Sequence, residues 1–186
     1  MELYLVRHTR LNIPLGICYG QSEIPLAETF PDEARQISDK LKGITEAHLY
    51  TSPLERCAKL AAHISNEPAI IEPRLKELNF GQWEMKKWDA IDRKAVDKWT
   101  QDFVNNRCPG GESYYDLNLR VKEWMADLHK AKVKKAIAVT HAGVIRIFRA
   151  KHAKLMLSES FTLKVDHGDI YRVVTEDDFI YQCDLL

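Results

Sequence analysis

Two histidines each follow a short apolar run that is typical of a buried β-strand. His8 ends the run LYLVRH, and His141 ends the run AIAVTH. Because ligands of an open α/β sheet bind at the carboxyl ends of its strands, we expect the two imidazoles to face one site. Arg7 stands directly before His8, and its guanidinium is a permanently charged planar donor that suits a phosphate dianion. The pair Arg7 and His8 therefore predicts phosphate chemistry.

Alternating strands and helices must carry these residues to one site. Short apolar runs predict parallel strands at residues 2–6, 47–52, 69–72 and 135–140. Apolar residues at helical spacing predict helices over residues 30–41, 53–64 with Pro53 in the first position, 88–104, 113–130 and 144–150. The tail alternates in FTLKV, DIYRVV and FIYQC, which predicts two or three strands, partly antiparallel, at one edge. We therefore predict a three-layer α/β fold: a mostly parallel, doubly wound sheet with helices on both faces and an antiparallel edge strand from the C-terminal segment.

Length and composition favour one soluble domain. The 186 residues suit a single domain over residues 1–186, and no repeat or linker divides them. The 27 basic and 27 acidic residues balance, which indicates neither nucleic acid nor an anionic membrane as a partner. The opening apolar stretch is shorter than that of a signal peptide, and no segment approaches the roughly 20 apolar residues of a membrane span, so we expect a cytoplasmic protein. The four cysteines lack the paired spacing of a metal site and are expected to be reduced thiols.

Four short motifs lie at the ends of the predicted strands. They are RHT with Arg7 and His8, TSPLERC with Arg56, LKELNFGQWE with Glu77, and THAG with His141. In this order they resemble the histidine phosphatase superfamily, which has the phosphoglycerate mutase-like fold, and the resemblance covers nearly the whole chain. Each motif is weak by itself, whereas the ordered set is specific. The resemblance implies an enzyme that hydrolyses a small phosphate ester and needs no metal or other cofactor.

The resemblance gives each of these five residues a catalytic role. It implies that His8 is the nucleophile and becomes phosphorylated, for which its imidazole must be neutral; positive neighbours favour that form. Arg7 and Arg56 would bind the phosphoryl oxygens, and His141 would donate to one of them. Glu77 would be the general acid that protonates the leaving alkoxide and then takes a proton from the attacking water.

Within the superfamily, the stretch LKELNFGQWEMKKWDAI followed by PGGES is similar to the α-ribazole-5′-phosphate phosphatases of cobalamin assembly. The short span between Glu77 and His141 favours hydrolysis over the phosphoryl return of a mutase. The alternatives are a phosphoglycerate mutase, another phosphatase of sugar phosphates or phosphohistidine proteins, and a binding protein that keeps the phosphate pocket without turnover. A benzimidazole riboside needs an apolar wall beside the phosphate, for which four loop residues are candidates: Tyr19, Trp83, Met85 and Trp88.

The chain departs from the family directly after His8. Most members have glycine there and then an acidic residue, whereas this chain has Thr9 and Arg10. A β-branched residue tolerates positive φ poorly, so either the backbone has an ordinary conformation at Thr9 or this residue has a role of its own. The Thr9 hydroxyl is a candidate phosphate ligand, and Arg10 either adds charge to the site or points to solvent. Gln21, in the early loop GICYGQSEIPL, is a further candidate substrate ligand.

Other polar residues are interpreted as structural. Glu72 and Glu84 lie close to Glu77 and are the alternatives for its role, although a charged loop residue is usually solvated. Glu112 and Ser113 are predicted to cap the helix that follows them. The remaining histidines are also expected to be structural: His48, His63, His129, His152 and His167.

Overall fold

The computed structural model describes residues 1–176 and 179–186, and within them six strands form one sheet. The strands are β1 Glu2–Arg7, β2 His48–Thr51, β3 Ile70–Ile71, β4 Lys135–Thr140, β5 Ile170–Glu176 and β6 Phe179–Leu185. Their order across the sheet is β3-β2-β4-β1-β5-β6. The first four of these run parallel, β5 pairs antiparallel with β1, and β6 pairs antiparallel with β5. The predicted mostly parallel sheet with an antiparallel edge is confirmed.

Helices cover both faces of this sheet. The α-helices found in the same two ranges are α1 Phe30–Leu41, α2 Glu55–Ile64, α3 Arg93–Gln101, α4 Tyr114–Lys130 and α5 Ala142–His152. Successive strand residues point to opposite faces. In β1, Leu3 and Leu5 are buried with α4 and α5, whereas Tyr4 and Val6 are buried with α1 and α2. Two apolar layers against one sheet give the three-layer architecture that the sequence predicts.

Two predicted helices differ in extent from the observed ones. α2 begins at Glu55 rather than at Pro53, because Leu54 is extended, with φ −66° and ψ 135°. The predicted helix over 88–104 is a 3₁₀ turn, Trp88–Ala90, followed by α3. Asp92 separates the two, since its side chain accepts from the backbone N–H of Ala95 and caps α3.

The segment FTLKV, residues 161–165, is not a strand, although its alternation predicts one. Phe161 belongs to the 3₁₀ helix Leu157–Thr162. The following carbonyls accept from arginine side chains instead of from a neighbouring strand: Leu163 from Arg146, Lys164 from Arg149 and Val165 from Arg7. We call residues 163–165 the arginine-bound segment. Its backbone acceptors are satisfied by distant side chains, which a local pattern does not reveal.

The start of α4 confirms one predicted cap and corrects the other. Ser113 Oγ accepts from the backbone N–H of Asp116 at 3.2 Å, and Asp116 accepts in return from the backbone N–H of Ser113 at 2.8 Å. Within the part of the chain that the structure describes, the Glu112 carboxylate accepts from no backbone N–H group of α4. Its carboxylate accepts from the backbone N–H of Asn79 at 3.0 Å and pairs with Arg120, so it connects α4 to the loop that carries Glu77.

Candidate active site

The ends of β1 and β4 form one wall of a cavity. The two strands pair directly and in parallel, so the residues that follow them meet at one edge of the sheet. His8 and His141 lie there with ring centroids 5.1 Å apart. Both rings line a cavity of about 230 Å³ together with Arg7, Arg56 and Glu77. The structure therefore brings together the five residues whose motifs are far apart in the sequence.

The surroundings of His8 make it a neutral base with one free nitrogen. Nδ1 lies 2.8 Å from the carbonyl oxygen of Thr9, which can only accept, so Nδ1 carries the proton. Nε2 has no hydrogen-bond partner among the residues that the structure describes. Burial and the charges of Arg56 and Arg7 lower the pKa of His8 well below its usual value. At neutral pH the Nε2 lone pair is therefore available to attack phosphorus.

His141 is held between Arg56 and Ser52. Arg56 Nε can only donate and lies 3.4 Å from His141 Nδ1, so Nδ1 is the acceptor. Nε2 then carries the proton and lies 2.9 Å from Ser52 Oγ. Burial and the Arg56 charge lower the pKa of His141 well below its usual value. Donation to a phosphoryl oxygen requires Nε2 to exchange Ser52 for the ligand, and this role of His141 stays a prediction.

Arg56 is fully buried in the first turn of α2. Nη1 donates to the carbonyl of Ser22 at 2.8 Å, and Nη2 donates to the carbonyl of Gly20. With the contact to His141, three of its five N–H groups are engaged, and two are left for a ligand. Because water is excluded around it, the fixed charge interacts strongly with a bound phosphate.

A third histidine, His167, lies beside this pair, so its interpretation as a residue with only a structural role is incomplete. Its ring centroid is 5.3 Å from that of His8, and its Nε2 accepts from Arg7 Nη2 at 3.0 Å. Burial and the Arg7 charge lower the pKa of His167 to about 4, so the ring is neutral and can accept. Arg7 Nη1 donates to the carbonyl of Val165 at 2.6 Å, and its buried Nε is unpaired within the described residues. His167 and Val165 thus fix the direction of the Arg7 guanidinium.

Two backbone N–H groups hold the carboxylate of Glu77. Oε1 accepts from Leu78 at 3.0 Å, and Oε2 accepts from Gly143 at 3.1 Å. Gly143 lies in the first turn of α5, so this contact ties the Glu77 loop to the start of that helix. A Cβ atom at Gly143 would stand 2.2 Å from Glu77 Oε1, so a side chain at this position would displace the Glu77 carboxylate.

Side chains behind Glu77 hold its backbone. Arg120 on α4 donates to the Glu77 carbonyl at 2.9 Å and makes two hydrogen bonds to Glu112, each 3.0 Å long. Gln21 Nε2 donates to the same carbonyl at 3.0 Å. Gln21 is not among the described residues that line the cavity, so its contact with substrate stays a prediction. Arg120 is a positioning residue that no sequence motif marks.

Glu84 has a structural role rather than that of a solvated charge. Its carboxylate accepts from the backbone N–H groups of Gly20, Gln21 and Ser22 at 2.9 to 3.1 Å, and from the Ser22 hydroxyl at 2.6 Å. Burial opposes ionisation, but these hydrogen bonds outweigh it and hold the pKa of Glu84 below its usual value. Glu84 thereby fixes the loop whose carbonyls bind Arg56.

Thr9 has an ordinary backbone conformation, which is one of the two alternatives that the sequence left open. The non-glycine residues with positive φ in the described chain do not include it. Thr9 is fully buried, and its Oγ1 has no partner among the described residues. It does not line the cavity, so its contact with phosphate stays a prediction. The Arg10 side chain is 69% exposed and pairs with Glu33 at 3.6 Å, and it therefore points to solvent.

Aromatic side chains form much of the remaining cavity wall. Two of the predicted wall residues, Tyr19 and Trp88, line the cavity. Trp83 is buried instead in a separate cluster with Cys18 and Cys108, and Met85 is 52% exposed, so neither belongs to the wall. The lining also includes residues that the sequence did not indicate: Ile17, Phe80, Tyr114, Arg146 and Phe161.

The buried histidines make the stability of the protein depend on pH. Folded His8 and His141 resist protonation, whereas in the unfolded chain they take up protons below their ordinary pKa of 6.5. The unfolded state then binds more protons, so the free energy of unfolding falls as the pH falls below 6.5. We expect a slope of about 1.4 kcal/mol per pH unit from each of the two rings. Urea unfolding at several pH values measures this slope. The variant His8→Asn should reduce it by about 1.4 kcal/mol per pH unit, the contribution of one ring. An unchanged slope would contradict the argument from burial.

Two further observations concern metal ligands and membrane-spanning helices. Within residues 1–176 and 179–186, no group of three or more His, Cys, Asp or Glu side chains is arranged to hold a metal ion. No helix in these ranges has both the length and the apolar character needed to cross a bilayer.

The fold and the site define an α/β domain that presents paired histidines and arginines to one cavity. The chain belongs to the Histidine phosphatase superfamily (branch 1), whose family model matches residues 3–182.

Known proteins with similar sequences include two kinds of relative. The chain is 32% identical over 139 residues to an Enterobacter sp. (strain 638) protein named "Probable phosphoglycerate mutase GpmB", which covers 70% of this chain and 64% of that protein. The match therefore spans less than two thirds of that relative's length. The chain is also 27% identical over 177 residues to a protein of Escherichia coli (strain K12) named "Adenosylcobalamin/alpha-ribazole phosphatase". That match covers 90% of this chain and 87% of that protein.

A solved structure shares the fold. The alpha-ribazole phosphatase from Shigella flexneri superposes with a TM-score of 0.86 at 24% identity, over 100% of this chain and 96% of that one.

Proposed function

We propose that this protein is a phosphomonoesterase that works through a phosphohistidine at His8. The observation that carries the proposal is the neutral His8 ring, whose unpaired Nε2 shares the cavity with the fixed guanidinium groups of Arg7 and Arg56. A neutral imidazole is both a nucleophile and a leaving group, so it can accept a phosphoryl group and release it again. The arginines supply charge where the transition state develops it.

The first step transfers the phosphoryl group to the enzyme. His8 Nε2 forms a bond to phosphorus while the bond from phosphorus to the ester oxygen breaks. Protonated Glu77 gives its proton to the departing oxygen, so an alcohol leaves rather than an alkoxide. The hydrogen bond from Nδ1 to the Thr9 carbonyl stabilises the positive charge that the ring gains on attack.

The second step returns the enzyme to its starting state. Water attacks phosphorus, the bond from Nε2 to phosphorus breaks, and Glu77 takes the proton from the water. Inorganic phosphate then leaves with His8 neutral and Glu77 protonated, which balances the cycle.

Within this activity, α-ribazole 5′-phosphate is the substrate that we favour. The relative named alpha-ribazole phosphatase aligns over 90% of this chain, and the aromatic residues Tyr19 and Trp88 offer a wall for a flat base. A phosphoglycerate mutase is the second candidate, because the GpmB relative has the higher identity over a shorter span.

The mechanism is tested with 4-nitrophenyl phosphate in the presence of a chelator. We expect phosphate release to continue, because every group in the proposed cycle belongs to the protein. Loss of activity with chelator and recovery on adding a divalent metal would overturn the mechanism. A wild-type protein that hydrolyses no phosphomonoester and takes no label on His8 would instead be a phosphate-binding protein.

The substrate is tested by comparing kcat/KM for four phosphate compounds. These are α-ribazole 5′-phosphate, ribose 5-phosphate, 3-phosphoglycerate and a phosphohistidine protein. We expect the highest value for α-ribazole 5′-phosphate. Interconversion of 2- and 3-phosphoglycerate at a higher kcat/KM would favour the mutase instead.

A further inference from the structure

Arg146 is a third arginine in the cavity and takes no part in the steps above. It lies on α5, one turn after Gly143, and it lines the same cavity as His8 and Glu77. Its Nε donates to the carbonyl of Leu163 at 3.0 Å, and its guanidinium carbon lies 5.2 Å from the centroid of the Phe161 ring. Its two terminal nitrogens have no partner among the residues that the structure describes. Arg146 is thus held at one nitrogen and keeps four N–H groups for a ligand.

The arginine-bound segment fixes where these free donors lie. Arg7 is held by the carbonyl of Val165, and Arg146 by that of Leu163, two residues earlier. Both arginine side chains line the same cavity. The free donors of Arg146 are therefore offered to a part of the ligand that adjoins the phosphoryl group on Arg7.

The phosphoryl group does not need the charge of Arg146. Arg7 and Arg56 supply two positive charges in the same cavity, and a phosphate monoester dianion carries two negative charges. The terminal nitrogens of Arg146 are therefore left for the rest of the substrate, where sugar oxygens can accept hydrogen bonds without adding a charge.

Aromatic side chains also line the cavity that contains Arg146. Phe161 is 43% exposed, and it contacts Tyr114 with ring centroids 5.2 Å apart. Trp88 and Tyr19 line the same cavity. A flat base carried by the sugar therefore meets aromatic surface once the sugar is on Arg146.

We propose that Arg146 is the specificity-determining residue of this site, and that its terminal nitrogens bind the sugar oxygens of a pentose 5-phosphate bearing an aromatic base. The inference rests on the proposed phosphomonoesterase function and assigns the residue that selects its substrate. Removing the donors should raise KM more than it lowers kcat, since the sugar is bound in the same way before and during phosphoryl transfer.

The test is the variant Arg146→Met with four substrates: α-ribazole 5′-phosphate, ribose 5-phosphate, 3-phosphoglycerate and 4-nitrophenyl phosphate. We expect kcat/KM for the two ribose esters to fall about 10- to 100-fold, mainly through KM, because charged hydrogen bonds are lost. The loss for the other two should be several-fold smaller, and Arg146→Lys should restore part of it. The matched control is Arg149→Met, because Arg149 lies on the same helix, donates to the Lys164 carbonyl and stacks on Tyr171 outside the cavity.

The outcomes separate this inference from the proposed function. An equal loss on all four substrates would make Arg146 a phosphoryl ligand or a structural residue, and the largest loss on 3-phosphoglycerate would make it an anion site; either overturns the inference. If the wild type hydrolyses phosphate esters but does not prefer α-ribazole 5′-phosphate, that substrate assignment fails. A selective loss on ribose 5-phosphate would still support the inference in that case.

Discussion

His8→Asn should lower kcat roughly 10⁴- to 10⁶-fold, as removal of a catalytic nucleophile does in other enzymes. Asparagine is the informative replacement, because its side-chain N–H can take over the hydrogen bond from Nδ1 to the Thr9 carbonyl. Only the Nε2 lone pair is then lost, while Arg7 and Arg56 keep their carbonyl partners. The measurement is phosphate release from 4-nitrophenyl phosphate, with quenched-flow labelling by a radioactive substrate to detect an acid-labile, alkali-stable phosphoryl group.

The control for this variant is His152→Asn, which changes an exposed histidine at the end of α5. We expect it to keep wild-type activity and labelling. Two results would contradict the role of His8. One is His8→Asn activity above about 1% of wild type, far more than loss of a nucleophile leaves. The other is an undiminished label, which would point to His141 or His167 as the phosphorylated residue.

The parts of this molecule that could be predicted are those that local pattern controls. β1 and β4 each end in a histidine, and parallel pairing of the two strands is enough to bring His8 and His141 together. The helical spacing of apolar residues located α1 and α4 closely, because each helix buries one face against the sheet. Arg56 and Glu77 came from motifs of the family rather than from any physical pattern.

The residues that sequence reasoning missed are placed by contacts between distant segments. Arg7 and Arg146 both reach the arginine-bound segment, whose alternation predicts a strand that tertiary hydrogen bonds replace. His167 lies just beyond that segment and before β5, and only the pairing of β5 with β1 brings it to His8. The position of His167 just before β5, a strand that pairs with β1, was the feature that could have indicated its contact with His8. No such feature exists for Arg120, because a half-buried arginine on α4 is indistinguishable in the sequence from a solvated helix residue until its carbonyl partners are known.

Glu77→Gln should lower kcat about 100- to 10,000-fold on an alkyl phosphate, the range expected for loss of a general acid. The effect should depend on the leaving group. A 4-nitrophenolate departs without a proton, so its release to form phosphohistidine needs Glu77 far less than release of an alkoxide does. We therefore expect the rate of phosphohistidine formation to fall at least about tenfold less with 4-nitrophenyl phosphate than with ribose 5-phosphate. The burst rates for both esters provide the measurement, because steady-state kcat also contains the shared second step in which Glu77 is the base.

The structure provides a control variant for this prediction and defines the result that would contradict it. In Glu77→Gln the amide nitrogen must face the N–H of Leu78 or of Gly143, so one hydrogen bond is lost and stability should fall by about 1 to 3 kcal/mol. Urea unfolding separates that loss from catalysis. Glu72→Gln changes a carboxylate of the same loop that pairs with Arg74 outside the cavity, and it should leave kcat near wild type. If Glu77→Gln slows phosphohistidine formation equally with both esters, Glu77 positions the loop and α5 but donates no proton to the leaving group, and the acid must be sought elsewhere.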